Sequence, residues 1–459
     1  MIKPIPKRPL IPILTDLLEY RRAANDTIAY TRNIVDRYGD VCEASFTGIK
    51  NYFIQDPEVI KEILTTLGPK MQRTMLFRAF RKFLGDGLFT SDGDYHRQQR
   101  KLIKPAFYPQ RIEGYAGIMA ACARTEIDTW ADGQMINVAE AMTRITLQVI
   151  TQAMFGSGLQ PHVMAAARHT LTEAFGVMNV LVQNPLYLYC LDRGIRVPII
   201  RKFYRLKAEL DQVVYDIITA YRREGTVEGK MDLLSMLMEA RDEATGKGMS
   251  NEQIRDEVLT FFLAGHETTT LALTWALYLI GKHPEIEESF YEEVRSVIRD
   301  DLPEAGDYER LPLTRNIFRE FLRLYPPAWT FARQPTEDVE IRGYRFPKGC
   351  VLWTVTYLIH RDERYFHDAE SFIPSRWNEL AIKELPRYAY FPFGGGNRMC
   401  IGEGFAWMEG VLVLAAIASR CRLRLPEGFS TEIKPVFTLK PKEEVWAKVE
   451  LYSVSSLAG

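Results

Sequence analysis

One segment near the end of the chain constrains the fold more than any other: Phe-Gly-Gly-Gly-Asn-Arg-Met-Cys-Ile-Gly, from Phe393 to Gly402. Its single cysteine, Cys400, lies between glycines, and an apolar run from Phe405 to Ala418 follows it. Glycines let a backbone come close to a large flat group, and the start of a helix stabilises a negatively charged sulfur. An isolated cysteine is more often a buried structural residue. Here the glycines, with Arg398 as a cation for an anionic neighbour, favour a thiolate that binds a metal.

The composition narrows the class of protein. The chain has 459 residues and a net charge of −1, whereas a nucleic-acid-binding protein usually carries a strong basic excess. Its six cysteines include no Cys-x-x-Cys pair, so they predict neither a zinc site nor an iron–sulfur site. A disulfide framework is not expected at this size, and reduced thiols fit a cytoplasmic protein.

No part of the sequence predicts a membrane anchor. Residues 1–18 are rich in proline and lack a long apolar core, so they resemble neither a signal peptide nor an anchor. The window from Leu259 to Gly281 is long and apolar, but His266 and Glu267 near its middle would be costly in lipid. We therefore expect a buried core helix there.

The periodicity predicts a mainly helical chain with a minor β lobe. Ser250-x-x-Gln253 is a capping box that opens a long helix ending near Lys282. Strand patterns fall mainly in residues 40–60, 335–360 and 420–455. Residues 70–90 mix aromatic residues with glycine and predict a loop-rich lid. Because no linker or repeat is visible, we expect a single domain over residues 1–459.

The long helix carries a polar motif near its middle, Ala264-Gly265-His266-Glu267-Thr268-Thr269. Glycine weakens a helix by about 1 kcal/mol relative to alanine, and threonine hydroxyls bond to carbonyls one turn back. One interpretation is a polar patch that is satisfied inside a core helix. The other, which Cys400 favours, is a local opening of the helix at which an acid and an alcohol relay protons.

Three further patterns pair charged residues. Glu320 and Arg323 lie at i, i+3 and are followed by Leu-Tyr-Pro-Pro. The segment Phe-Ile-Pro-Ser-Arg-Trp carries Arg376 directly before its tryptophan. His96 and Arg100 lie at i, i+4 on a predicted helix. Such pairs are often solvated surface charges worth a few tenths of a kcal/mol.

Taken in order, these motifs resemble those of the cytochrome P-450 family of haem-thiolate monooxygenases over essentially the whole chain. The cysteine segment matches the family's Phe-x-x-Gly-x-Arg-x-Cys-x-Gly at every fixed position. The resemblance implies a mainly α fold with a minor β lobe, a triangular prism that holds haem b between the long helix and the helix after the cysteine. It also implies that Cys400 is the axial ligand of the iron, within a cofactor-binding segment that includes Phe393 and Gly402.

The resemblance assigns roles to the other motifs. Thr268 and Glu267 become the catalytic alcohol and acid that deliver protons. The haem propionates are bound by His96, Arg100, Arg333 and Arg398, although a solvated histidine remains the alternative for His96 and a surface charge remains the alternative for Arg333. Glu320, Arg323 and Arg376 form a structural network under the cysteine loop, and His360 is also structural.

The implied reaction is the insertion of one oxygen atom of O2 into a lipophilic small molecule, as a hydroxylation or an epoxidation. Electrons are expected from a separate ferredoxin or flavodoxin with its NAD(P)H-dependent reductase. We also expect a monomer of the soluble bacterial type, without a stable membrane anchor and without a nucleic-acid partner.

The substrate pocket implied by the family is apolar, although each of its residues is equally explicable as ordinary core. It comprises Phe77, Phe80, Phe175, Met178, Ala264, Ala328, Trp329, Phe331 and Phe437. The residues in the motifs favour the branch of the family that contains fatty-acid hydroxylases. Terpenoids and steroids are the other substrate classes that the motifs allow. One alternative is a peroxide-driven peroxygenase or isomerase, which the presence of Thr268 and Glu267 argues against. The other is a non-catalytic haem sensor, a class of protein that usually has an additional output domain.

Overall fold

The structure of the chain is a computed structural model. It describes residues 3–7, 26–44, 50–74, 77–156, 170, 173–174, 176–181, 184–224, 232–243, 245–298, 302–377 and 383–452. The fold is about 58% helical with a few small sheets, which confirms the predicted mainly α class.

The helices have the following bounds: Thr27–Tyr38, Pro57–Leu64, Phe77–Leu84, Gly93–Ile103, Pro109–Ile127, Val138–Phe155, Pro185–Asp192, Pro198–Glu224, Leu233–Glu239, Asn251–Lys282, Pro284–Val297, Asp307–Arg310, Pro312–Leu324, Thr356–Ile359 and Glu403–Ala418. The strands are β1 Val41–Glu43, β2 Asn51–Ile54, β3 Met71–Gln72, β4 Met135–Asn137, β5 Phe331–Pro335, β6 Val339–Ile341, β7 Tyr344–Phe346, β8 Val351–Thr354, β9 Cys421–Arg424, β10 Ile433–Pro435, β11 Leu439–Pro441 and β12 Trp446–Leu451.

The chain divides into two compact units. The first unit comprises Met1–Arg78, Leu322–Cys400 and Lys434–Lys440, and the second comprises Ala79–Phe321, Ile401–Ile433 and Pro441–Gly459. The single catalytic domain over residues 1–459 stays a prediction.

The first unit is built on a five-stranded sheet in the order β1-β2-β8-β5-β3. The β2–β8 pair is parallel, with Asn51 opposite Val351, and the remaining pairs are antiparallel. Apolar side chains such as Ile54, Ile60 and Phe346 are fully buried in the core of this unit. The sheet therefore provides a rigid frame for the segments that follow it in the chain.

The second unit is mainly helical, and its central element is the long helix Asn251–Lys282. Almost every residue of this helix from Ile254 to Ile280 is buried. The unit also holds a three-stranded sheet in the order β4-β12-β9. Of the strands in residues 420–455, β12 pairs with Met135–Asn137, a strand that the sequence pattern did not reveal, and β9 pairs with the other side of β12.

Local sequence signals set several helix boundaries as predicted. Ser250 and Gln253 form the reciprocal capping box at the start of the long helix. Asp56 caps the helix that Pro57 begins, because its carboxylate accepts hydrogen bonds from the amides of Glu58 and Val59. None of the described helices is long and apolar enough to cross a membrane.

One regional prediction was wrong. Residues 70–90 do not form a loop-rich lid, because they contain β3 and the helix Phe77–Leu84. Ala79, Phe80, Phe83 and Leu84 are buried on one face of that helix. The aromatic residues that suggested a lid are therefore core residues of a short amphipathic helix.

Two glycines in the second unit give a matched test of packing. A Cβ at Gly410, in the helix Glu403–Ala418, would overlap the ring of Phe318, whereas a Cβ at Gly117, in the helix Pro109–Ile127, would meet nothing within 4 Å. We expect Gly410→Ala to lower the free energy of unfolding by about 1–3 kcal/mol through overpacking. Gly117→Ala should raise it by about 0.5–1 kcal/mol through helix propensity. Urea denaturation checks both, and equal effects would contradict this packing.

Candidate functional site

Cys400 differs from every other cysteine of the chain in its exposure. Its side chain is exposed, whereas Cys42, Cys122, Cys190, Cys350 and Cys421 are all buried. Burial raises the pKa of the Cys42, Cys122, Cys350 and Cys421 thiols to about 12. Such thiols stay protonated and do not bind metals, so Cys400 is the accessible sulfur.

The glycines before Cys400 pack the loop tightly into the first unit. A Cβ at Gly396, where φ is +66°, would overlap the carbonyl of Leu64, and one at Gly395 would lie 2.6 Å from the hydroxyl of Tyr388. These two glycines therefore serve packing within the protein rather than the approach of a flat group. Gly394, with φ of +73°, has nothing within 4 Å of its Cβ position and leaves the backbone open.

Backbone hydrogen bonds fix the loop itself. The amide of Cys400 donates to the carbonyl of Phe393 at 3.0 Å, and the amide of Gly394 donates to Phe391 at 2.9 Å. These backbone hydrogen bonds contribute to holding the sulfur position. Arg398 ends the 3-10 turn Gly396–Arg398 just before the cysteine.

Buried polar side chains support the loop from its N-terminal end. Arg323 donates to the carbonyls of His360, Ala369 and Ser371 at 2.8, 2.5 and 2.9 Å. The imidazole Nε2 of His360 accepts a hydrogen bond from the amide of Phe391 at 3.0 Å. Arg323 thus orders the segment that carries His360, and His360 in turn holds the start of the cysteine loop.

Arg376 belongs to the same network as Arg323. It donates to the carbonyls of His367 and Asp368, and a long bond of 3.5 Å reaches the carbonyl of Ser371, which Arg323 also contacts. Glu320, three residues before Arg323 on the helix Pro312–Leu324, is fully buried.

The remaining predicted residues of the first unit lie on β5 and its flanks. Arg333 on β5 is half-buried, with its guanidinium 5.5 Å from the ring of Phe331. Trp329 is buried and donates from Nε1 to the carbonyl of Val436 at 2.9 Å, which brings the predicted residue Phe437 into the same region. Ala328 is exposed, and Phe77 stacks with the Arg73 guanidinium 4.4 Å from its ring.

In the second unit, the motif on the long helix forms an accessible patch on a buried helix. Ala264 is exposed, and Gly265 and Thr268 are half-buried, while their neighbours are buried. The predicted local opening was wrong, because the helix is continuous from Asn251 to Lys282. The Thr268 hydroxyl donates to the carbonyl of Ala264 at 2.6 Å and so lies along the intact helix.

Gly265 has a packing reason of its own. A Cβ there would lie 3.0 Å from Cδ1 of Ile150, a residue of the neighbouring helix Val138–Phe155. The glycine lets the two helices approach closely. Glu267, next to Thr268 in the chain, is 9% exposed.

The other predicted residues of the second unit fall into two groups. His96 is 2% exposed on the helix Gly93–Ile103, and Arg100 lies one turn later and is half-buried. The fold brings together two of the predicted pocket residues, Phe80 and Met178, which line one apolar pocket. Its full lining is Phe80, Phe83, Leu84, Ala174, Met178, Leu259 and Leu263. Phe175 lies outside the described residues, and Gly402 precedes the helix Glu403–Ala418.

The family model of cytochrome P450 matches residues 5–446. The chain belongs to the cytochrome P450 family. Its curated relatives include a "cyclooctatin synthase" from Streptomyces melanosporofaciens, 36% identical over 87% of this chain and 85% of the relative. A "cyclooctat-9-en-7-ol 5-monooxygenase" of the same organism is 33% identical, covering 85% and 84%. A "pentalenene oxygenase" from Streptomyces avermitilis is 31% identical, covering 87% of each chain.

The membership makes this P450 an oxidoreductase of the monooxygenase type with a haem cofactor. The residues present fit that cofactor. Cys400 is the exposed one of the six cysteines, so its sulfur is accessible. Gly394, in the same loop, leaves the backbone open for a flat ring. When bound, a thiolate-ligated haem supplies the activation of O2.

Sequence reasoning missed the supports of the cysteine loop. The hydrogen bond from Phe391 to His360 and the close packing of Tyr388 on Gly395 have no motif in the local sequence. The only signal was the structural role that the family resemblance assigned to His360, which named no partner. Contacts between residues some 30 positions apart depend on the folded chain.

Burial of His360 makes the free energy of unfolding depend on pH. Burial, followed by the charge of Arg323, lowers the pKa of His360 to about 3 from a usual value near 6.5. Below pH 6.5 the unfolded chain takes up a proton that the native state does not, so the free energy of unfolding falls as pH falls. Between pH 7 and pH 5, burial of this residue should lower the free energy of unfolding by about 2 kcal/mol.

His360→Gln keeps an acceptor for the Phe391 amide but does not titrate. Urea denaturation of this variant should therefore show a smaller loss of stability between pH 7 and pH 5 than the wild-type protein shows. Identical pH profiles for the two proteins would rule out a buried neutral His360.

Proposed function

We propose that this P450 hydroxylates or epoxidises a terpenoid, using haem b and electrons from a separate ferredoxin or flavodoxin with an NAD(P)H-dependent reductase. The three relatives named above act on terpenoids, and this observation carries the proposal. Fatty acids and steroids are the weaker candidates. The apolar pocket lined by Phe80, Met178 and Leu263 supports a lipophilic substrate.

The residues have separate tasks in this proposal. Cys400 binds the haem iron, and His96, Arg100, Arg333 and Arg398 bind the propionates by charge-assisted hydrogen bonds. Arg323 and Arg376, with Glu320, hold the cysteine loop. Ala328, which is exposed, and Phe331 and Phe437, which are half-buried, contribute apolar surface to the substrate in this proposal.

Thr268 delivers protons at its Oγ1 atom, with Glu267 as the acid. The hydroxyl now donates to the Ala264 carbonyl, and rotation of its side chain frees that proton for the accessible face of the helix. The half-buried position of Thr268 supports this role, because a fully buried hydroxyl could not reach a substrate.

Replacement of Thr268 tests the reductive mechanism. With a ferredoxin, its reductase and NADPH, and a panel of cyclic terpenes as probes, Thr268→Ala should keep its haem content and still consume NADPH. Product formed per NADPH should fall about 10-fold or more, because a positioned proton donor is lost. Thr268→Ser, which keeps the hydroxyl, should recover most of the yield.

The same assay separates the alternatives. A Thr268→Ala variant with wild-type product yield would overturn the role of this hydroxyl. Product formed equally well from hydrogen peroxide alone would favour the peroxygenase, and no product under either condition would favour a haem sensor.

A further inference from the structure

Three consecutive ionisable residues near the start of the long helix are buried. The side chains of Arg255 and Asp256 are 4% and 7% exposed, and Glu257 is 1% exposed. Burial of charged groups is costly unless they are paired and hydrogen-bonded. None of the three has a task in the proposed reaction, so their partners show what they do.

All three residues bind the backbone of one short stretch, residues 83–88. Nη2 of Arg255 donates to the carbonyl of Phe83 at 3.0 Å. The carboxylate of Asp256 accepts from the amide of Asp86 at 2.6 Å, and that of Glu257 accepts from the amide of Leu88 at 3.0 Å. Side chains that bind main-chain groups fix a segment whatever side chains it carries.

Glycines bring this stretch directly onto the helix. A Cβ at Gly85, where φ is +79°, would overlap the carboxylate of Asp256. A Cβ at Gly87 would overlap the hydroxyl of Thr260 and lie 2.7 Å from the carbonyl of Asp256. The stretch therefore lies flat against the helix.

A third helix anchors the arginine. Nε of Arg255 donates to Asp211 at 2.8 Å, and Asp211, on the helix Pro198–Glu224, also accepts from Lys207 at 2.5 Å. Nη1 of Arg255 donates to Asp256 at 2.7 Å. The arginine is thus balanced by two carboxylates and held in one orientation.

The stretch lines one side of the apolar pocket and the long helix lines another, while Phe80, Ala174 and Met178 complete the lining. Phe83 and Leu84 begin the stretch and line the pocket, while Leu259 and Leu263 line it from the helix. Asp256 and Leu259 are three residues apart on that helix. One helix therefore both lines the pocket and holds a second lining segment at a fixed distance.

We propose that Arg255, Asp256 and Glu257 are positioning residues that clamp residues 83–88 against the long helix and so set the width of the apolar pocket. The clamp selects among lipophilic substrates by shape and favours compact polycyclic molecules over extended flexible ones. This selection rests on the proposed function, because it assigns the pocket to the substrate.

The state of Glu257 gives a conservative variant. Burial raises the pKa of Glu257 to about 8, so the carboxyl group is mostly protonated at pH 7. Glu257→Gln therefore keeps the shape, the charge and the acceptor for Leu88. Glu257→Leu removes the acceptor and leaves the amide of Leu88 without its partner.

Hydrogen exchange of the haem-loaded protein tests the clamp without any substrate. Glu257→Leu should raise the exchange rate of peptides covering residues 83–90 about 10-fold or more, because a buried hydrogen bond is lost. Glu257→Gln should stay within about two-fold of the wild-type rate, as should Glu252→Leu, an exposed position on the first turn of the same helix. Equal exchange in Glu257→Leu and Glu252→Leu would overturn the clamp.

Gly87→Ala tests the same inference if Glu257→Leu does not fold. It adds a methyl group between the stretch and the helix and leaves every charge in place. Exchange of residues 83–90 should rise in this variant too, and unchanged exchange would count against the clamp.

Ligand titration tests the selection. We would measure the dissociation constants of the tricyclic alcohol patchoulol and the linear alcohol farnesol from the haem absorption spectrum. The wild type and Glu257→Gln should prefer patchoulol, and Glu257→Leu or Gly87→Ala should shift the ratio toward farnesol by about five-fold or more. KM values should shift in parallel, with kcat changing less.

The two readouts keep the inferences distinguishable. If exchange rises in the variants but the ratio of dissociation constants stays constant, the positioning role is wrong. If neither terpenoid binds the wild-type protein, the proposed substrate class fails and the selection fails with it, while the exchange data still decide whether the clamp exists.

Discussion

The accessibility of one sulfur atom is the constraint on which the rest of this structure depends. Five of the six cysteines are buried as inert thiols, and the pKa of four of them is raised to about 12. Cys400 is exposed, and the loop that precedes it is anchored by its backbone hydrogen bonds. Close packing at Gly395 and Gly396, together with the His360–Phe391 hydrogen bond, adds to that anchor. A ligand that is held before the metal arrives loses little conformational entropy on binding.

The sequence alone predicted the parts of this structure that local chemistry decides. The capping box at Ser250 and Gln253 set the start of the long helix, and Asp56 with Pro57 set another. The cysteine segment was recognisable because so few residue types allow its backbone. The predicted network of Arg323 and Arg376 also has a geometric counterpart, since both donate to the carbonyl of Ser371.

Tertiary packing decided the features that sequence reasoning got wrong or missed. Gly265 suggested a break in the long helix, but its lack of a side chain serves the approach of Ile150. The aromatic residues near position 80 suggested a lid, but they form the buried face of a short helix. The backbone groups that Arg255, Asp256 and Glu257 bind lie about 170 positions earlier in the chain, and no local pattern could have named them.

The central claim is that the sulfur of Cys400 binds the haem iron, and cysteine labelling with iodoacetamide tests it most directly. Peptide mapping would measure the modification of each of the six cysteines in the native protein, with haem bound and after its extraction. The account predicts that Cys400 is protected while haem is bound and reacts first once it is removed, with the five buried cysteines unmodified in both states. Equal labelling of Cys400 in the two states, or protection of a different cysteine by haem, would contradict it.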